Sequence, residues 1–430
     1  MKNLFYKPLF WISFLLISGA SAFLAVTFFP LAHSIINVNI TMDRSEALEQ
    51  ATRVAQNNVL IPANGSIAAN FQTDYLVQFF VELDAGGKDA FVHMIEQNLY
   101  QPYTWQVRFF QEHMPEEALV RFTPEGKLYG FVQKSSENAP GAQLTADQAQ
   151  MIALQGAASW GLDLALYKLI ETSKETVPSG RIDHTFVFER PEIKIGEGFF
   201  RLRLRVAGDK LSELTHFVQV PETFIRKYTE MRSANEAIHY YAYIALILLY
   251  FLGGCIFGLL YLIRRRFVLW RAPIIWGIIF ILLTIGSGLN QLPLAWMKYD
   301  TAISSSGYLL QYIVSIIISS FTYGIFFTIV FAAAESLTRY AFGDQIQFWN
   351  LWDKGVANSY QVVGRTIGAY LVVPIFLAFA TLFYVIMSNY FGWWTPSSSL
   401  FDPNILATKL PWFDSLSQSI RAGFWEECMF

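Results

Sequence analysis

The sequence predicts a multi-pass α-helical membrane protein with an inserted α+β extracytoplasmic domain, and three observations lead there. Of 430 residues, 53% are hydrophobic and 17% aromatic while only 15% are charged, which is too apolar for an ordinary soluble protein of this length. The apolar residues gather in runs at 11–36, 237–263, 272–296, 309–334 and 367–388, each near the roughly 20 residues that cross a hydrocarbon core. Between the first and second runs, residues 38–236 alternate polar and apolar positions and carry the turn residues of a water-soluble fold. The formal net charge of −3 comes without a basic run interleaved with aromatics, so nucleic acid is excluded as a partner. Cys255 and Cys428 both lie in apolar segments, which argues against a disulfide framework or a cysteine metal site.

Taken in order, residues 1–37 form the first anchor, with Lys2 and Lys7 ahead of the apolar run. A cleaved signal peptide is the rival, because Ala20-Ser21-Ala22 resembles a cleavage site; the run continues well past it, which favours the anchor. Orientation follows from positive charge, since short cytoplasmic loops are rich in Lys and Arg. Lys2, Lys7, Arg264, Arg265, Arg266, Arg271, Arg339, Lys354 and Arg365 share one side if the amino terminus is inside, and Lys298 and Lys409 fall on the other. That count places 38–236 outside the cytoplasm. The 348–352 segment, Phe-Trp-Asn-Leu-Trp, reads as interfacial, and Trp393 and Trp394 mark the opposite interface.

The insert divides into two modules, 38–140 and 141–236. Asp43 and Thr145, roughly a hundred residues apart, each open a helical stretch with capping-box spacing, one running to about Asn57 and the other to about Ser159. Each helix is followed by alternating strands around a glycine turn. In the first copy 118–122 leads through Gly126 to 127–131, and in the second 200–206 leads through Gly208 and Asp209. A helix on a small antiparallel sheet, occurring twice, resembles a pair of PepSY-like modules. That likeness implies a peptide-binding or protease-inhibiting ectodomain; the plainer alternative is a spacer between spans. Arg201, Arg203 and Arg205 share one strand face, either solvated or open to anionic ligands.

Residues 237–430 form the membrane helical region. Its last segment carries the chemistry. A helix expected to start near Asp414 as N-cap, after Pro411-Trp412-Phe413, reaches Glu426 and Glu427 near mid-membrane. Its early turns hold Ser415, Ser417, Gln418, Ser419 and Arg421 rather than Leu or Ile, which suits a helix facing protein or a water-filled cavity. Intramembrane carboxylates are costly and mark function by default. Neighbouring glutamates point about 100° apart on a helix, so one is available for acid–base work while the other needs its own partner. A structural ion pair with cations of adjacent helices is the alternative.

The stretch 423–430, Gly-Phe-Trp-Glu-Glu-Cys-Met-Phe, resembles the first motif of the CPBP intramembrane glutamic endopeptidases, the CAAX-processing and Abi-type proteases, whose signature is Glu-Glu-x3-Arg. The motif Arg would follow Phe430, so the chain is expected to be truncated within the motif and inactive as a fragment. The resemblance implies that Glu426 activates the hydrolytic water with a histidine from a later helix, and that Glu427 supports the site. The later motifs Phe-x3-His and His-x3-Asn/Asp are not found, and His33, His93, His113, His184, His216 and His239 all lie upstream. The implied activity is metal-independent endoproteolysis of a membrane-associated protein or peptide substrate, with no cofactor. The competing classes are a membrane-anchored peptide-binding or sensor protein and a proton- or cation-coupled transporter using Glu426 and Glu427.

Other features carry less. Glu335, Arg339 and Asp344 read as a helix-terminal charge cluster, and Asn290 and Pro374 as packing or kink positions. Asn64-Gly65-Ser66 is a formal glycosylation sequon. There is no phosphate loop, zinc-binding His-Glu-x2-His or nucleophile elbow.

Overall fold

Helix caps and alternating strands organise the water-soluble part much as their spacing predicts. In the computed structural model, which describes residues 5–58, 65–343, 353–394 and 402–429, α1 (Pro8–Ala32) leads to α2 (Arg44–Asn57). The Asp43 carboxylate caps α2 by accepting from the Glu46 N–H at 2.8 Å. β1 (Ser66–Thr73), α3 (Tyr75–Asp84), α4 (Gly87–Glu96), β2 (Tyr103–Phe110), β3 (Glu117–Phe122) and β4 (Leu128–Lys134) follow. α5 (Ala146–Ser159) opens the second half with a complete capping box between Thr145 and Gln148. After it come β5 (Lys168–Thr176), β6 (Ile182–Ile195), β7 (Gly198–Ala207) and β8 (Lys210–Gln219).

The two halves share one antiparallel sheet of eight strands in the order β1-β2-β3-β4-β8-β7-β6-β5, so the last strand of each half meets at the centre. One face is the core. α2 buries Ala47, Ala51 and Ala55, and α5 buries Ala149, Ala153 and Ala157, the same four-residue spacing that puts small side chains on a single helix face. Against them lie Phe71, Trp105, Phe122, Leu202 and Leu204, and the Trp105 indole donates to the Met42 carbonyl at 3.0 Å. The opposite face is polar. Arg201 pairs with Glu189 (3.1 Å), Arg203 with Glu213 (3.7 Å), and Arg205 with Glu175 (2.9 Å) and Asp183 (3.3 Å). The arginine row is thus matched by acids on neighbouring strands rather than left open for an anionic ligand.

The halves join where Phe131 pairs with Leu214 and Val132 with Glu213. A Cβ on Gly130 would collide with the Leu214 main-chain carbonyl, so only glycine lets the strands approach there. Beside the junction, on the core side, the His216 ring lies 4.7 Å from Tyr129 and 5.8 Å from Phe200. Burial, with a smaller contribution from nearby Arg121, holds its pKa at about 4.

The membrane part starts from the sheet. α6 (Glu222–Leu246) has Phe224 in the domain core and runs on through a π-helical stretch, Ile247–Phe257, into α7 (Gly258–Arg264). α8 (Arg271–Asn290), α9 (Leu292–Ala295), α10 (Ser305–Ala341), α11 (Lys354–Ala357), α12 (Tyr360–Phe391) and α13 (Pro411–Met429) complete the chain. Among the described residues, five helices are long and apolar enough to cross a membrane: α1, the continuous Glu222–Arg264 helix, α8, α10 and α12. Their bounds depart from the apolar runs. The second is 43 residues and α10 is 37, because a hydrocarbon-length run marks only the desolvated part of a helix whose ends continue in polar surroundings. α1 ends at Ala32, short of the expected residue 36, where a 3-10 turn takes over.

α1 packs on α12, and α8 packs on α10. In the second pair Phe280 and Phe327 stack at 3.7 Å, and Gly277 and Gly324 sit where a Cβ would strike the partner helix, the small-residue contact usual between membrane helices. Glu335 and Arg339 form a 2.8 Å ion pair near the far end of α10. Asn64, Asp344 and the 348–352 segment lie outside the described residues.

Gly130→Val should destabilise the sheet by roughly 1–3 kcal/mol through overpacking at the junction, read as a lowered thermal midpoint of the full chain in detergent. Acid provides a second check. Because the His216 pKa is about 4 when folded and near 6.5 when unfolded, the unfolded chain binds the extra proton between those values. Stability therefore falls as pH drops from about 6.5 to about 4, by roughly 3 kcal/mol from this group. Urea midpoints across that window should flatten in His216→Phe; an unchanged slope would rule His216 out as the source.

Candidate functional site

The polar face of the first sheet half is docked against the ends of the membrane helices. Arg108 on β2 makes the principal contact. Its guanidinium donates to the carbonyls of Trp296 (3.2 Å), Met297 (3.1 Å) and Tyr299 (2.8 Å), and its Nε pairs with Glu117 at 2.8 Å. These carbonyls belong to the turn after α9, where helical partners run out. Phe110 and Ala68 bury Tyr299 beside them, the His113 N–H donates to the Thr301 carbonyl at 2.7 Å, and the Ser305 hydroxyl donates to Glu112 at 2.6 Å. On the edge strand, the Phe71 N–H donates to the Asn404 side chain at 3.2 Å. The Trp394 indole donates to Glu82 at 2.8 Å.

Between sheet and helices lies a cavity of about 1340 Å³. Its sheet wall carries Asn70, Gln72, Gln106, Arg121, Leu119 and Lys134. Its membrane wall carries Lys298, Tyr308 and Tyr312, together with Asp414, Ser415, Gln418, Ser419 and Ala422 of α13. Among the described residues, no histidine lines it.

α13 is held in one register against α8. The Asn290 side chain donates to the Leu410 carbonyl at 2.9 Å and accepts from the Leu410 N–H at 2.6 Å. The Ser287 hydroxyl donates to Asp414 at 2.5 Å, and the Ser417 hydroxyl donates to the Leu283 carbonyl at 3.3 Å. Deeper, Phe424 packs on Trp276 (4.6 Å) and Phe280 (5.7 Å), and Trp425 on Phe326 (5.3 Å). With those residues turned toward α8 and α10, Ser415, Ser419 and Ala422 fall on the face toward the cavity.

The sequence-predicted site residues can now be located. Glu426 is exposed and one turn beyond Ala422, which by helical periodicity continues the cavity-lining face. Glu427 follows it in the helix, about 100° around the axis; its side chain lies outside the described residues. Asp414 is not the N-cap. α13 begins at Pro411, whose missing N–H suits a first turn, and the Asp414 carboxylate instead reaches across to Ser287. Asn290, expected to serve packing or a kink, clamps the start of α13. Sequence reasoning missed Arg108, Arg121 and the amides of β1 and β2. Their alternation with core residues was a signal, but it could not distinguish a face toward water from one toward a second layer.

Comparison with family models, with curated proteins and with solved structures finds no match.

Arg108→Ala should cost on the order of 3 kcal/mol, since it strips a charged donor from several carbonyls and leaves Glu117 unpaired. Protease cutting within 296–301 of the reconstituted protein should accelerate correspondingly. Unchanged cutting would mean that this docking does not depend on Arg108.

Proposed function

We propose that the protein is a membrane-embedded, metal-independent endopeptidase of the CPBP type, oriented with residues 38–236 outside the cytoplasm. Glu426 activates the hydrolytic water, and Glu427 supports it. One observation carries the proposal: the polar side of α13 (Ser415, Gln418, Ser419 and Ala422) lines the large cavity, and Glu426 stands next on that side. Glu426 is exposed there, with room for water beside it, while Phe424 and Trp425 pack the helix against α8 and α10. A carboxylate is the kind of group that accepts the proton of an attacking water. The orientation agrees with the helix ends. Those meeting the sheet alternate along the chain, and Lys7, Arg264, Arg265, Arg266, Arg271, Arg339, Lys354 and Arg365 occupy the opposite ends. The Glu-Glu pair resembles the first family motif, and the histidines of the later family motifs are not among the described residues that line the cavity.

A non-enzymatic sensor is the second reading, favoured by the unbroken helix from the sheet core at Phe224 to Arg264, which could carry a change in the ectodomain across the membrane.

In cells carrying the gene and a tagged membrane reporter substrate, Glu426→Gln should reduce cleavage at least a hundredfold at equal protein level, since loss of a general base alone removes about 10²–10⁴ in rate. Glu427→Gln should reduce it less. Cleavage that persists at the original rate in Glu426→Gln would overturn the assignment and leave the sensor as the better account.

A further inference from the structure

The cavity is larger than the roughly 300–1,000 Å³ typical of small-molecule sites, and its polar lining is made chiefly of amides and hydroxyls. Asn70, Gln72 and Gln106 stand on the sheet wall facing Ser415, Gln418 and Ser419 on α13. Amide and hydroxyl groups on both walls match the donors and acceptors of an extended main chain, and they would leave a lipid acyl chain badly solvated. The buried Asp414 Oδ2 has no hydrogen-bond partner and offers an acceptor to a peptide N–H.

The charges of the lining differ in how far they are already satisfied. Glu117 is held by Arg108, Asp402 accepts from the Asn404 N–H at 3.0 Å, and Asp414 accepts from Ser287. The cations are less engaged. Lys134 and Lys298 form no ion pair among the described residues. Arg121 donates one N–H to Thr215 at 3.2 Å, while its buried Nε has no partner. The acids near Arg121 are Glu213, which is shared with Arg203 at 3.7 Å, and the more weakly acting Asp74.

We propose that this cavity binds an extended polypeptide segment carrying a carboxylate, which Arg121 and Lys134 receive at the sheet wall while the main chain lies along the polar face of α13. As a substrate site it rests on the peptidase reading; as a binding site it does not. The same chemistry could come from an acidic side chain or from a free chain end. Charge-assisted contacts would orient the segment and set its register relative to Glu426.

The test uses the full chain carrying Glu426→Gln in phosphatidylcholine nanodiscs, so that binding is read without cleavage. Fluorescence anisotropy compares three dye-labelled decapeptides of Ser and Ala: one with two internal Glu and an amidated end, one with Gln in their place and a free carboxylate, and one with Gln and an amidated end. The expected result is at least tenfold tighter binding of one or both carboxylate peptides over the neutral one, with the tighter arm naming the source. The preference should disappear in Lys134→Glu, an exposed position whose change leaves the core untouched, and weaken in Arg121→Gln. Equal affinity for all three peptides, no binding of any, or a preference that survives Lys134→Glu would overturn the proposal. Loss of cleavage in Glu426→Gln cells alongside such a negative result would leave the peptidase assignment standing.

Discussion

Main-chain carbonyls at a helix end need donors, and the placement of the whole water-soluble domain follows from where one donor meets them. Arg108 satisfies three carbonyls of the turn after α9 while remaining paired with Glu117 on its own sheet. A planar guanidinium suits this role, because its fork of donors reaches several acceptors from one anchored side chain. The contact sets the polar sheet face over the helix ends without closing against them, and the remaining space is the cavity.

The opposite wall depends on a different kind of restraint. Asn290 engages both the N–H and the carbonyl of Leu410, which fixes α13 in height as well as direction. Ser287 and Ser417 fix its rotation. A polar group left unmet between packed helices is costly. The aromatic contacts of Phe424 and Trp425 continue the same orientation to the position of Glu426. Rotation of α13 by a single residue would carry about 100° of change and remove the carboxylate from the cavity side.

The domain itself is built twice from one plan. Two helices with alanines at the same four-residue spacing lie on one face of the sheet, and the halves meet through their last strands. Small residues bring each helix close to the strands, and Gly130 does the same for the two strands at the seam. The first half alone inserts α3 and α4, which carry Glu82, the acceptor from Trp394. The added helices thereby tie the sheet to the end of α12.

Much of this was legible in the residues themselves. Asp43 and Thr145 mark helix starts because a capping side chain acts on an N–H within its own turn, and the alternation in β3, β4, β7 and β8 marks strands because side chains change face at each step. The apolar runs mark membrane helices through composition alone, and Glu426 and Glu427 stand out because carboxylates are rare in such surroundings. These are local properties, and the sequence by itself determined them. Helix ends were less legible, since the five runs show where water is excluded and not where hydrogen bonding stops. Only the tertiary structure decided that Asp414 answers Ser287 rather than its own helix, that the row of Arg201, Arg203 and Arg205 meets acids from three other strands, and that Arg108 and Arg121 look toward a second layer. Each depends on partners distant in the chain, and no spacing within one segment encodes which distant group will fill the space beside it.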